Sequence, residues 1–246
     1  MIYVALAAYN EERNIGSLLE DLARLGAGEK GPLKAVIVND GSLDRTYEVI
    51  ESFRTKLDIL LLDQPNRGFL PSLARALRET VGAGEDEDIC VTMDADNTHP
   101  VGLIPLMVEK IGGGSDIVVC SRFKPGGGMR GVPLHRSWLS LGARFVMERS
   151  IGIPGISDYS TAFRAFRLRI LKEAFERYGD RLLEGLGFSG MAGFLIRLSY
   201  LTPRIDEIPF LLRYDLKGGS SRMRIGPTLR GYLGLVLDYQ RGRLRP

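Results

Sequence analysis

From Ile2 to Cys120 the chain alternates short apolar runs with stretches whose apolar residues recur every three or four positions. Ile2–Ala8 is almost unbroken in its apolar character, as a strand covered on both faces requires, and it ends in the polar turn Tyr9-Asn10-Glu11-Glu12. Ile15, Leu18, Leu19, Leu22 and Leu25 then keep the helical period until Gly26 and Gly28 close the helix. The cycle repeats. A strand at Ala35–Val38 leaves through Asn39-Asp40-Gly41-Ser42, and Tyr47, Val49, Ile50 and Phe53 mark the next helix. Leu57–Leu62 predicts a third strand, followed by the turn Asn66-Arg67-Gly68 and a helix that tolerates Pro71 in its first turn. Further strands fall at Ile89–Met93 and Ile117–Cys120, with a helix over Val101–Ile111 between them. This alternation predicts an α/β fold with a parallel sheet, right-handed crossovers and ligands bound beyond the carboxyl ends of the strands. The polar turns all fall on that edge.

After Cys120 the rhythm changes. Lys124–Gly131 is glycine-rich and expected to be a mobile loop, and His135–Ile151 predicts a helix with basic and apolar faces. Ala162–Phe166 is strand-like, Ile170–Tyr178 and Met191–Leu201 are helical, and Ile208–Tyr214 reads as one strand. A second flexible stretch, Lys217-Gly218-Gly219-Ser220-Ser221-Arg222, precedes a last helix over Thr228–Tyr239. Its stripe of Leu229, Tyr232, Leu233, Val236 and Leu237 is expected to pack into the core. With no internal repeat or linker, residues 1–246 read as a single domain with two functional halves.

Composition sharpens this picture only in places. The apolar fraction of 44% and charged fraction of 26% are those of an ordinary globular chain, and the net charge is only +3. The positive charge is concentrated: Arg122, Lys124, Arg130, Arg136, Arg144 and Arg149 face a single Glu148 across one region, and Lys217 to Arg245 is similarly basic. Such regional excess suits a phosphate-bearing or membrane-surface partner. Cys90 and Cys120 lie in apolar runs and read as buried, reduced thiols rather than a disulfide or zinc site. No signal-peptide layout and no apolar run of about 20 residues occurs, so the expectation is a cytoplasmic protein, peripheral to a membrane at most.

The candidate chemistry centres on Asp94-Ala95-Asp96. Two carboxylates one residue apart at a strand's mouth can face one cation, and their oxygens suit Mg2+ or Mn2+, which keep waters and bind substrate phosphates. Alone the pair reads more readily as a solvated turn before a helix. The ordered set around it changes the balance: Ala8-Tyr9-Asn10-Glu11, Asn39-Asp40-Gly41-Ser42-Leu43-Asp44, Asn66-x-Gly68, Asp94-x-Asp96-x-x-His99-Pro100, Ser121-Arg122-Phe123 and Asp158-x-x-Thr161-Ala162-Phe163-Arg164. Over roughly residues 2–225 this set resembles family 2 glycosyltransferases of the GT-A fold, and within them the dolichyl- and polyprenyl-phosphate sugar synthases typified by dolichyl-phosphate mannose synthase.

The resemblance implies a Rossmann-like, mostly parallel sheet flanked by helices, with a nucleotide-sugar-binding half (1–122) and an acceptor half (123–246). It places Ala8, Tyr9, Asn10, Glu11, Asp40, Asn66 and Asp94 around the nucleotide of a GDP-mannose or UDP-glucose donor. Asp94 and Asp96 are assigned to the metal, with Thr98 standing where relatives carry Gln. Asn39 likewise replaces a common Asp, and Thr161-Ala162 a common Ser-Gly. Arg122, Arg136 and Ser140, one helical turn beyond, match positions that hold the lipid phosphate, with Lys217 and Arg222 in the loop that closes over the site. Such a phosphate, with a second pKa near ~6, is largely ionised at neutral pH and needs grip and alignment more than a base. Asp96, Asp158 and Arg122 are the catalytic candidates. Asp158 acts as base in relatives with hydroxyl acceptors, the alternative reading here, and otherwise orients Arg122 or the acceptor loop. The Gln-x-x-Arg-Trp signature of polymer synthases is absent, and the single tryptophan is Trp138. The implied partners are a nucleotide-sugar, a polyprenyl or dolichyl phosphate and an anionic membrane surface reached through the helix at 133–150 and the Arg-rich tail, with no nucleic acid.

Overall fold

In the computed structural model, residues 1–28, 31–218 and 225–246 are described. The chain runs β1 (Ile2–Ala8), α1 (Ile15–Gly26), β2 (Leu33–Asp40), α2 (Thr46–Ser52), β3 (Asp58–Gln64), α3 (Phe69–Ala83), β4 (Ile89–Thr92), α4 (Ile104–Gly112) and β5 (Ile117–Ser121). It continues with β6 (Gly128–Arg130), α5 (Leu134–Ser150), β7 (Arg164–Arg167), α6 (Leu168–Tyr178), α7 (Phe188–Ser199), β8 (Ile205–Pro209), β9 (Leu211–Arg213) and α8 (Ile225–Gln240).

Seven strands form one sheet in the order β3-β2-β1-β4-β7-β5-β8. All neighbours are parallel except β7, which is antiparallel to both β4 and β5. Alternate residues of each strand serve opposite faces. Val4, Leu6 and Ala8 join Leu18, Leu22 and Met107 on the face of α1 and α4, while Tyr3 and Ala5 join Leu73, Phe166, Phe194 and Leu195 on the other. Both faces are therefore dry, which is why the strands show unbroken apolar runs. The GT-A architecture expected from the sequence is the one found.

Three local expectations are corrected. The glycine-rich stretch is not wholly a loop, because Gly128–Arg130 pairs in parallel with Leu211–Arg213 in a separate ribbon. The strand expected over Ile208–Tyr214 is two strands. Phe210 is the handover: its N–H donates to Ser121 O of β5 at 2.9 Å, while its carbonyl accepts from Gly128 N at 3.0 Å. The preceding Pro209 has no N–H to extend the first ladder. In α8 Tyr232 and Leu235 are buried, whereas Leu229, Leu233 (66% exposed) and Leu237 face outward. The apolar face of α5 also points out, with Trp138 73% and Phe145 70% exposed beside Leu134 and Leu141.

Candidate active site

The carboxyl-end turns of β1 and β2 are sewn together. Asn10, held at φ 53°, donates its N–H to Ser42 Oγ at 2.9 Å and accepts Leu43 N on its side-chain oxygen at 2.6 Å. Glu11 N–H donates to Thr46 Oγ1 at 2.7 Å, and Glu11 Oε2 accepts from Asn14 Nδ2 at 2.6 Å. Asp40 is buried, and its carboxylate accepts from Gln64 Nε2, Arg67 N and Gly68 N, each at 2.8 Å. That carboxylate therefore fixes the Asn66 turn against β2. Gly41 permits the approach: its φ is +69°, and a Cβ there would lie 2.6 Å from Asn66 N. Ala8, Asn10, Asp40 and Asn66 are thus brought to one wall, with Tyr9 and Glu11 at its rim.

Asp94 and Asp96 follow β4 in a turn that includes Asn97 at φ 61°. His99 packs beneath them, stacked on Phe163 at 5.1 Å, and its Nδ1 accepts Asp94 N–H at 3.0 Å. Burial pushes the Asp94 carboxyl above the ordinary carboxylate range against the pull of His99, and neighbouring Asp96 adds to the rise. Burial also opposes the charge on Asp96, but Lys217, His99 and the hydroxyl of Thr98 outweigh it and hold that carboxyl low. Lys217 Nζ lies 2.6 Å from Asp96 Oδ2, while Thr98 donates to Oδ1 through its hydroxyl at 2.6 Å and its N–H at 3.2 Å. Among the described residues no group of three or more His, Cys, Asp and Glu side chains forms a cation cage. Mg2+ and Mn2+ do not need one, since waters and substrate phosphates complete their coordination. An ionised, recessed Asp96 that already grips an ammonium, beside a second carboxylate, fits such an ion. Thr98 is turned onto Asp96 and sets its orientation.

Of the acceptor-side candidates, Arg122, just beyond β5, is held by Asp158. Its Nε and Nη2 donate to the two oxygens of Asp158, each at 2.7 Å, and its own N–H donates to Asp158 Oδ2 at 3.1 Å. Nη2 also donates to Ser160 Oγ at 2.6 Å. Asp158 Oδ1 further accepts from Thr161 N at 3.2 Å, and the side chain is 0% exposed. Burial works against both charges, yet each keeps the other: the Asp158 carboxyl is held below its ordinary value and the Arg122 guanidinium above its own.

Arg136 of α5 donates to Tyr214 Oη at 3.1 Å, and its Nε is buried without a hydrogen-bond partner. Lys217 Nζ lies 6.0 Å from the centre of the Tyr214 ring. Gly218, the next residue, exchanges hydrogen bonds with Asn14, its N–H to Oδ1 at 2.8 Å and its carbonyl from Nδ2 at 3.3 Å. Lys217, expected with the acceptor phosphate, is placed on Asp96. Among the described residues no hydrogen bond joins Ser140 to the other candidates, and Arg222 lies outside the described residues. Sequence reasoning missed Asn14, Tyr214, Ser160 and Glu207. Glu207 falls one residue ahead of the strand read from Ile208, so nothing in the sequence marked its burial.

Residues 3–175 match the family described as Glycosyl transferase family 2. The chain is 30% identical over 233 residues to a dolichol-phosphate mannosyltransferase from Pyrococcus furiosus, covering 94% of this chain and 61% of that protein. It is 28% identical over 224 residues to a dolichyl-phosphate hexose transferase from Haloferax volcanii, covering 89% and 85%. In three dimensions it resembles glucosyl-3-phosphoglycerate synthase from Mycobacterium tuberculosis solved with Mn2+, UDP and glucosyl-3-phosphoglycerate, with a TM-score of 0.67 at 19% identity over 97% of this chain and 79% of that one. The same synthase has been solved with Mg2+ and UDP. At that identity the likeness shows the fold.

Proposed function

The chain belongs to glycosyl transferase family 2, and from that premise we propose that it transfers one hexose, mannose in preference to glucose, from a nucleoside-diphosphate sugar to a polyprenyl or dolichyl phosphate. The transfer is inverting, uses Mg2+ or Mn2+, and takes place at the cytoplasmic face of a membrane. The observation that carries this reading is the Arg122–Asp158 pair. A carboxylate that serves as general base needs a free lone pair aimed at the acceptor's proton. Asp158 instead gives both oxygens to Arg122 and is fully buried. An acceptor that arrives already ionised fits this arrangement, and a guanidinium aimed by a carboxylate is the grip it needs.

In this reading Asp40 and the Asn10–Ser42 contact hold the nucleotide wall in shape. Asp94 and Asp96 would hold a divalent ion, which would supply positive charge against the departing diphosphate. Arg122 and Arg136, with Ser140 on the same helix, align the acceptor phosphate for in-line attack on the sugar. The Mn2+ and Mg2+ in the mycobacterial synthase support the metal, and the Pyrococcus relative supports mannose, with GDP-mannose ahead of UDP-glucose as donor.

Membrane contact is supported by the outward Trp138 and Phe145 of α5 and Leu229, Leu233 and Leu237 of α8, bordered by Arg149, Arg230, Arg241 and Arg245. Among the described residues no helix is long and apolar enough to cross a bilayer.

The test is a donor-by-acceptor screen read by mass, with and without Mg2+ or Mn2+. Product on polyprenyl phosphate and none on the corresponding polyprenol is expected. Product on the alcohol alone would establish the alternative, a hydroxyl acceptor with Asp158 as base.

A further inference from the structure

Glu207 sits on β8 opposite Val119 of β5 and is 6% exposed. Its Oε1 accepts from Ser157 N at 2.9 Å and Asp158 N at 2.8 Å, and its Oε2 accepts from Ser157 Oγ at 2.8 Å. Ser157 Oγ also lies 3.1 Å from Ser121 Oγ, beside Arg122. Residues 156–163 have no helix or strand of their own, so the buried N–H groups of Ser157 and Asp158 find their acceptor in this one side chain.

Another deeply buried acid next to β5 behaves differently. Asp116, at the opposite end of β5, meets Arg167, Arg169 and Arg204 and reads as a clamp between strand ends. No ion pair reaches the Glu207 carboxylate among the described residues. It serves neutral donors only, and those donors belong to the turn that aims Arg122.

We propose that Glu207 is a positioning residue for the acceptor-phosphate site. It fixes the Ser157-Asp158 turn, the turn fixes the Asp158 carboxylate, and that carboxylate fixes the guanidinium of Arg122. Lys124 reinforces the arrangement by donating its ammonium to the carbonyl of Glu207, which anchors the start of the glycine-rich stretch to the same point. This inference rests on reading Arg122 as the contact for the acceptor phosphate.

Two substitutions separate positioning from bulk stability. In Glu207→Gln the amide oxygen still accepts both N–H groups, and the amide N–H2 meets Ser157 Oγ, which turns to donate to Ser121. In Glu207→Ala both N–H groups lose their acceptor and the turn is released. With polyprenyl phosphate, Glu207→Ala is expected to raise the acceptor KM at least about tenfold, with donor KM and kcat at saturating acceptor within about twofold, and Glu207→Gln to restore the acceptor KM. Equal rises in both KM values, or a Gln variant as impaired as Ala, would overturn the proposal. If the alanine variant does not fold, Glu207→Asp supplies the comparison: its shorter carboxylate cannot span all three donors, and an unchanged acceptor KM would again overturn it. A wild-type chain that transfers nothing to polyprenyl phosphate would instead refute the proposed function.

Discussion

Replacing Asp158 with Asn tests the acceptor site most directly, because the two readings of this residue diverge in how the rate is lost. The change is nearly isosteric, but it removes the charge that faces Arg122 across two 2.7 Å contacts. The guanidinium then stays buried without a counter-charge, and breaking such a pair costs ~3–5 kcal/mol. The Asn oxygen can keep one guanidinium contact, so we expect the lower end, a loss of ~3 kcal/mol in urea unfolding. On the kinetic side, a misdirected Arg122 raises the acceptor KM, by about ten- to a hundredfold if ~1.4–2.8 kcal/mol of grip is lost, while kcat at saturating acceptor falls by less than about tenfold. Steady-state rates against polyprenyl phosphate, with product counted by mass, separate these terms. A collapse of kcat by about three or more orders of magnitude with an unchanged acceptor KM would refute the reasoning and make Asp158 the base.

Three further outcomes follow from the site's charges and surface. Lys217→Met removes the ammonium that occupies Asp96, so Mn2+ binding without nucleotide, followed by calorimetry, should tighten by about tenfold, the effect of ~1.4 kcal/mol of competition; unchanged or weaker binding would show that the lysine does not compete. Asp96, Asp116 and Asp158 all have lowered carboxyl pKa values, each held down by basic or hydrogen-bonding neighbours that outweigh its burial. Their stabilisation is complete above the ordinary carboxylate range and is lost as pH falls through the lowered values, so the unfolding free energy should drop steeply below pH ~4, and a flat profile there would contradict the assignment. Trp138→Glu combined with Leu233→Glu should abolish flotation with anionic vesicles while leaving the melting temperature within a few degrees, because both side chains are largely exposed; retained flotation would move the membrane contact elsewhere.

Some of this site was readable in advance, for identifiable reasons. Strands covered on both faces must be apolar throughout, so β1, β2, β4 and β5 stood out, and their polar exits located the Asp94/Asp96 turn and Arg122. The period of α8 was equally visible, yet periodicity tells which residues share a face and not what covers it. Tyr232 and Leu235 turned inward while Leu229 and Leu233 stayed out. Contacts between distant positions left no local trace: Lys217 and Asp96 are 121 residues apart, and Asn14 and Gly218 are 204 apart. The division of the strand at Pro209 had a local cue in the proline itself, but the second ladder depends on Gly128, which composition assigned to a loop.

The position of β7 also constrains the order in which the molecule can be assembled. Chain growth from the amino terminus can pair β1 to β4 without any later strand, since each finds its neighbour already made. β5, though made next, has no place beside them, because its neighbour in the finished sheet is a strand that has not yet been synthesised. The outer edge of β4 therefore stays unpaired until Arg164–Arg167 arrives from the far side of α5, and β5 is captured only then. A nascent or truncated chain that stops short of Arg164 exposes that open edge, the kind of surface that recruits strands from other molecules. The same late insertion carries Asp158 into place beneath Arg122, and only the still later β8 brings Glu207 to the Ser157-Asp158 turn.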